Sequence, residues 1–409
     1  MKDGKFSMGV IGLNGRGKYF CSEDVSELQN SYLTCVCDII PERVEETLKK
    51  VGGDVTGYTD VDAFLQHPDL DAVFIAASDK AHAFLARKVL AAKKHLYLEK
   101  PMAQSIADCD SIIDAWENSG TVFFVGLELR YCTLFRDMKQ IISRGDIGTI
   151  KLATVVDNVS VGGNYYFHGP KRKQEYIKSL ILEKGTHSLD IANWLIDDSP
   201  RKVYASSGLD VFGGREPEYK RCSECDEGKK CPYYREASFR IDYGGQDDMS
   251  NDYCVYSKGC DVSDNSLVIV DYEKGARLSY VECHFTPEYT REFTFIGDKG
   301  KLTGFYNNEQ DFKIMVWKRF EEKPTYYYPE KVEGGAIMAH GGGDYGIMKS
   351  FSSLVHAGKP CMVGIKGARD SAAIAIAAYE SEHTGMPVMI PKCKELEGMA
   401  KKTAYQTTV

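Results

Sequence analysis

Two runs of this 409-residue chain hold residue types that can do chemistry together: Glu99-Lys100-Pro101 and Glu183-Lys184-Gly185-Thr186-His187-Ser188-Leu189-Asp190. A partly desolvated lysine can hydrogen-bond a hydroxyl oxygen and stabilise the charge that develops as an alcohol becomes a ketone. A histidine is the natural acceptor for the hydroxyl proton, because its ordinary pKa of about 6.5 needs only a small shift. Asp190 stands three residues after His187, on the same face of a helix, where a carboxylate can orient or polarise the imidazole. Lys184, one turn before His187, is placed to reach a second hydroxyl. Each residue also has a plainer reading: Lys100 as a surface lysine on a loop, His187 as a cap or packed core residue.

Hydride chemistry needs a cofactor, and the N-terminus offers a place for one. Gly12-Leu13-Asn14-Gly15-Arg16-Gly17 follows an apolar run, Phe6 to Ile11, and opens a helical pattern, which is the context of a dinucleotide fingerprint. Gly12 makes the tight turn, Gly17 lets helix and strand approach, and the amides at the helix start face a pyrophosphate. Asn14 replaces the second glycine of the usual pattern and narrows the approach, so a plain glycine turn is the alternative. Asp38 ends the next strand, where an acid hydrogen-bonds ribose hydroxyls and repels a 2′-phosphate. With Ile39 and Ile40 after it, NAD is expected rather than NADP; a helix N-cap ahead of Pro41 is the other role open to Asp38.

The elements that must hold these residues are legible from periodicity. Strands are predicted near 6–12, 32–38, 71–76, 94–98 and 121–126, separated by helices near 16–29, 41–51, 79–92 and 105–119. Such alternation builds an α/β fold, a doubly wound parallel sheet, over residues 1–127. Lys100 then lies after the fifth strand, at the carboxyl edge where open sheets bind ligands. Residues 128–409 read as a second α/β domain with an open, mostly antiparallel sheet. A helix near 133–145 precedes strands at 149–160, 266–272, 276–285, 291–296 and 312–318. Helices 186–197, 344–357 and 366–384 are the candidates to cover that sheet. The stretch 208–265, rich in Gly, Cys, Asp and Tyr, reads as a loop insertion, and Asp344 in His340-Gly-Gly-Gly-Asp344 as a helix N-cap.

Composition excludes several function classes. A net charge of -8 without a concentrated basic face argues against nucleic-acid or anionic-membrane partners. No run of about twenty apolar residues is present, and the N-terminus lacks the pattern of a signal peptide. Thirteen cysteines therefore read as reduced thiols in a cytoplasmic protein. Cys222, Cys225 and Cys231, with Cys254 and Cys260 later, leave room for a structural zinc; free thiols and redox chemistry are the alternatives.

Taken together, GVIGLNGRG, Asp38, SDKAH, KKHLYLEKPMA and the Gly185/His187/Asp190 spacing resemble the Gfo/Idh/MocA family of glucose-fructose oxidoreductase and inositol dehydrogenase. That resemblance implies a Rossmann domain with an α/β substrate domain, and Lys100, His187 and Asp190 as the catalytic group. It puts Ser78, His82 and Glu99 beside NAD, together with the loop residues Gly15 and Arg16. Arg130 occupies the family's Arg-Tyr position, but Glu128 and Leu129 replace the commoner Asn before it, which leaves its substrate role open. Tyr165, Tyr166 and His168 are placed to stack on or hydrogen-bond a ring, or else belong to a solvated loop. The expected substrate is a sugar, glycoside (C3 included) or cyclitol, and the expected assembly a dimer or tetramer of identical chains. Two rivals remain: a glycosidase that oxidises C3 transiently and recycles NAD, and a regulator that binds NAD without turnover.

Overall fold

The computed structural model describes residues 3–236, 252–307, 311–331, 339–358 and 361–393. The first sheet contains β1 (Phe6–Ile11), β2 (Ser31–Cys37), β3 (Thr56–Tyr58), β4 (Ala72–Ile75), β5 (His95–Leu98) and β6 (Val122–Val125). β1, β4 and β6 are buried along their whole length, as parallel strands covered by helices on both faces must be. The strand order β6-β5-β4-β1-β2-β3, all parallel, is the doubly wound topology expected. The predicted helix 16–29 is two helices, Arg16–Phe20 and Glu23–Gln29. Ser22 caps the second by accepting from the Val25 amide, so the chain breaks at Cys21–Ser22.

The second sheet runs through β7 (Ile150–Val159), β8 (Pro200–Gly208), β9 (Asn265–Tyr272), β10 (Arg277–Cys283), β11 (Tyr289–Gly297), β12 (Gly300–Asn307), β13 (Lys313–Lys318) and β14 (Thr325–Tyr327). β15 (Cys361–Val363) and β16 (Val388–Met389) complete the strands. The order is β14-β13-β12-β11-β7-β10-β9-β8-β16, antiparallel except between β10 and β7. One face is covered and one is not: in β9, Val268 and Val270 are buried while Leu267 and Ile269 are 56% and 54% exposed. Helices Thr186–Ile196 and Ile365–Thr384 lie on the covered face.

The helix Gly343–Ala357 departs from the expectation that it would cover the second sheet. Its Ile347, Met348, Phe351 and Val355 share a core with Phe6, Val10, Phe74, Tyr97 and Phe124 of the first sheet. β15 follows it and pairs in parallel with β6, giving that sheet a seventh strand from the distant end of the chain. The described part of the insertion is held by short turns and isolated bridges, Glu216 to Ser257 and Arg221 to Tyr253, over its own apolar cluster around Phe167, Phe212 and Val262. Its stretch 237–251 lies outside the described residues. Among the described residues no helix is long and apolar enough to cross a membrane.

Candidate active site

The glycine loop leaves β1 in a turn that only glycine fits. Gly12 has φ 87°, and a Cβ there would lie 2.6 Å from the Ala77 amide nitrogen; one on Gly17 would lie 1.7 Å from the Gly12 carbonyl oxygen. A Cβ on Gly15 would meet nothing, so the tip of the loop, with Asn14 beside it, opens onto free space. A backbone cradle stripped of side chains in this way suits a dinucleotide pyrophosphate. Asp38 closes the far end: its carboxylate accepts from the Leu13 and Ile40 amides at 2.8 and 3.0 Å, and Arg43 approaches to 3.5 Å. It therefore orders the loop backbone and has lone pairs left for ribose hydroxyls. It does not cap the following helix, whose N-cap is Ile40.

At the carboxyl edge of the sheet, Ser78 starts the helix Asp79–Ala91 and His82 lies buried one turn inside it. The His82 ring nitrogens lie 2.7 Å from the Pro101 carbonyl and 3.2 Å from the Ala77 carbonyl, which ties the Lys100 turn to the helix. Burial lowers its pKa and keeps the ring neutral. Glu99 accepts from Arg16 Nε at 2.9 Å, and the other arm of Arg16 reaches Asp344 at 2.7 Å. Asp344 is therefore not the N-cap expected of it. It sits completely buried in the first helical turn, clamped between Arg16 and His340.

Lys100 donates from Nζ to the Glu183 carbonyl at 2.8 Å, with Glu183 Oε1 at 3.7 Å, and Lys171 forms a close ion pair with the same carboxylate. Burial alone would raise Glu183; the two lysines hold it down to about 2. Lys184 donates to the Tyr289 hydroxyl at 2.7 Å, and Arg291 donates to it at 3.1 Å. Burial would push that phenol up, yet Arg291 and Lys184 outweigh burial and bring it to about 7. Tyr289 and Arg291 carried no signal in the sequence, since isolated polar residues in strands look alike until the fold gathers them.

His187 stands on the first turn of Thr186–Ile196, which continues a π-helical turn at Ile181–Gly185. Burial, then the charges of Lys100, Lys184, Arg291 and His340, push its pKa well below the usual value, so it is a neutral acceptor at physiological pH. Its expected partner is not its actual one. Asp190 is gripped by Arg130 through two bonds of 2.7 and 2.6 Å, and His187 Nδ1 instead lies 3.1 Å from Glu128 Oε1. Arg130, with its guanidinium 5.6 Å from the Trp194 ring centre, spends Nε and Nη2 on this pair. The i,i+3 spacing put Asp190 on the right face, but a bidentate guanidinium competes better for a buried carboxylate than an imidazole does.

Tyr165 is exposed and meets Tyr166 edge-on at 4.8 Å, with Lys171 over both rings, so this pair borders the Lys100–Glu183 cluster. His168, expected beside it at the substrate, is completely buried; its Nδ1 is 2.7 Å from the Tyr253 carbonyl, fastening the insertion. The zinc expectation finds no support: among the described residues no three His, Cys, Asp or Glu side chains are grouped to hold a metal ion. Cys222 is buried with its sulfur 3.9 Å from both His168 Nδ1 and the Tyr233 carbonyl, and the described cysteines are free thiols.

Residues 6–127 match the model of an oxidoreductase family's NAD-binding Rossmann fold, and residues 139–390 that family's C-terminal alpha/beta domain. The putative oxidoreductase YteT of Bacillus subtilis is 28% identical over 308 residues, 67% of this chain and 70% of the relative. Inositol 2-dehydrogenase of Salmonella typhimurium is 28% identical over 197 residues, 48% of this chain and 56% of the enzyme. Levoglucosan dehydrogenase, solved with NADH and levoglucosan, superposes with a TM-score of 0.71 at 16% identity, covering 95% of this chain and all of the other. An Agrobacterium radiobacter oxidoreductase solved with NAD+, L-tartaric acid and magnesium gives 0.69 at 17% identity, with 94% and 98% covered; these two likenesses are of fold. With both of its domain models matched along most of its length, the chain belongs to the Gfo/Idh/MocA oxidoreductase family.

Proposed function

We propose that the protein is an NAD-dependent dehydrogenase that oxidises a secondary hydroxyl of a sugar, glycoside or cyclitol. The observation that carries this reading is the neutral, buried imidazole of His187 within the field of the Lys100 ammonium. Lys100 holds the substrate oxygen, and His187 takes the hydroxyl proton as the carbonyl forms. NAD, when bound by the Gly12–Gly17 loop and Asp38, supplies the hydride acceptor. Lys184 and the Tyr165–Tyr166 pair supply contacts for further hydroxyls and an apolar ring face. The inositol and levoglucosan enzymes among its relatives act on substrates of this chemistry.

A specific observation also favours the redox-recycling glycosidase. That chemistry needs a second base to remove a proton beside the transient ketone, and Tyr289, poised between Lys184 and Arg291, is better suited than Tyr166, whose phenol burial pushes up. The division of labour at about residue 127, a cytoplasmic setting for the free thiols, and association through the exposed face of the second sheet belong to the same reading.

The test is NADH absorbance with NAD and a panel of sugars, cyclitols and aryl glycosides, with aglycone release followed in the same wells. NADH growth without aglycone supports the dehydrogenase; aglycone without net NADH moves the answer to the glycosidase. Lys100→Ala and His187→Ala are each expected to lower turnover about 10²-fold or more while NAD still binds. Near-normal turnover in either variant removes that residue from the mechanism.

A further inference from the structure

Two of the buried polar atoms without a hydrogen-bond partner face each other: His187 Nδ1 and Glu128 Oε1, 3.1 Å apart. The same Glu128 oxygen is 3.6 Å from His340 Nε2, and the two imidazole rings lie 6.0 Å apart, 27° from parallel. Only the far end of this line is open to solvent. The His187 and Glu128 side chains are 8% and 4% exposed, whereas His340 is 37% exposed. His340 Nδ1 is fixed by Asp344 at 2.7 Å, and Asp344 by Arg16. Burial would lower the His340 pKa, but Glu128 and Asp344 outweigh it and raise it, so the ring takes up a proton readily; in its neutral form, donating from Nδ1, it offers Nε2 as the acceptor toward Glu128.

The backbone that delivers His340 is itself unusual. His340, Gly341 and Gly342 adopt φ of 55°, 64° and 86°, and a Cβ on Gly341 would lie 2.7 Å from the Phe312 ring. A non-glycine residue in this region costs free energy and persists where the surroundings over-determine it, as at functional sites. A need for such a device follows from the charges. An imidazolium at His187 is opposed by burial and by Lys100, Lys184 and Arg291, so a proton accepted there must leave before the next turnover.

We propose that Glu128 and His340 form the route by which the proton taken up at His187 reaches solvent. This rests on the dehydrogenase reading, in which NAD is the oxidant and one proton is released per alcohol oxidised. The hydroxyl proton passes to His187 Nε2, and the Nδ1 proton then moves to Glu128 Oε1. Glu128 hands its carboxyl proton to His340 Nε2, a small ring rotation closing the 3.6 Å gap. The His340 imidazolium releases its Nε2 proton to water; His187 is left with its proton on Nε2 and returns to the Nδ1-protonated tautomer by exchange with water once product leaves, which closes the cycle. Both are relay residues: they act through His187 and touch no substrate.

The experiment has two arms, both on the full chain. In the first, NADH production by wild type, Glu128→Gln and His340→Ala is measured on a polyol that the wild type oxidises, at low and rising imidazole buffer. His340→Ala should lose about 10²-fold in turnover at low buffer and recover it as imidazole rises, with KM little changed; a merely structural loss is not restored by a buffer. Glu128→Gln should lose as much without recovery, since imidazole replaces the outer step only. His340→Ala turning over like wild type at low buffer, or losing activity that no buffer restores, overturns the relay. In the second arm, histidine NMR titrates His187 and His340 in the NAD-loaded protein. Glu128→Gln should shift both midpoints; unchanged midpoints overturn the relay independently of turnover. If no polyol yields NADH with wild type, the dehydrogenase reading fails, and this second arm still decides whether Glu128 couples the two histidines.

Discussion

Lys184 and Arg291 act on two neighbours in chemically opposite ways. A positive field disfavours the protonated form of any nearby group, so it keeps His187 uncharged and brings the ionisation of Tyr289 down to about 7. Tyr289 should therefore titrate near pH 7, visible as tyrosinate absorbance that is absent in Tyr289→Phe and displaced upward in Lys184→Met. Because its folded pKa lies below the unfolded value of about 10, its stabilising contribution is complete above that pH and is lost as pH falls through about 7. The Asp190–Arg130 pair makes a different prediction. Removing one partner of a buried pair costs about 3–5 kcal/mol, so Asp190→Asn should lower the melting temperature sharply while leaving the His187 titration in place. An unchanged melting temperature with lost turnover would return Asp190 to the role of orienting His187.

At the scale of elements, the first βα turn depends on an approach that admits no side chain. Gly17→Ala forces a Cβ into the Gly12 carbonyl and should cost at least the usual 1–3 kcal/mol of overpacking, roughly, and weaken NAD binding. Wild-type melting and NAD affinity in that variant would sink the close-packing account. His168 fastens the described part of the insertion through the Tyr253 carbonyl. Burial first of all holds His168 down to about 4, so in acid only the unfolded chain takes up its proton. That contribution is intact above about pH 6.5 and is lost as pH falls toward 4. Urea midpoints should show this slope in wild type and a shallower one in His168→Asn; parallel slopes would remove His168 from the acid response.

At the scale of the whole molecule, the two ends of the chain depend on each other. Phe351, from the helix Gly343–Ala357, is fully buried and contacts the rings of Phe6, Phe74, Tyr97 and Phe124. Phe351→Ala should cost about 3–5 kcal/mol, and residues 1–127 produced alone should fail to melt cooperatively, because one face of their sheet would lie open. A cooperative melt of that fragment would show that the first sheet needs no cover from the C-terminal segment. Arg16 bonded to Asp344 draws the cofactor loop and the His340 turn into the same dependence, so Phe351→Ala should weaken NAD binding as well.

The sequence by itself determined what is local. Period and turn chemistry placed the βα units, the glycine loop, Asp38, Lys100 and His187, because each is fixed by neighbours within one strand, turn or helix. Alternation along 266–272 likewise marked the open sheet. Only the tertiary structure decided which side chains share a site. Glu128 after β6, His187 on a helix of the second domain and His340 just before the helix Gly343–Ala357 meet through packing, and no spacing rule joins segments so far apart. The same holds for Asp190: sequence placed it on the His187 face, and the competition won by Arg130 through two charge-assisted bonds gave it another partner.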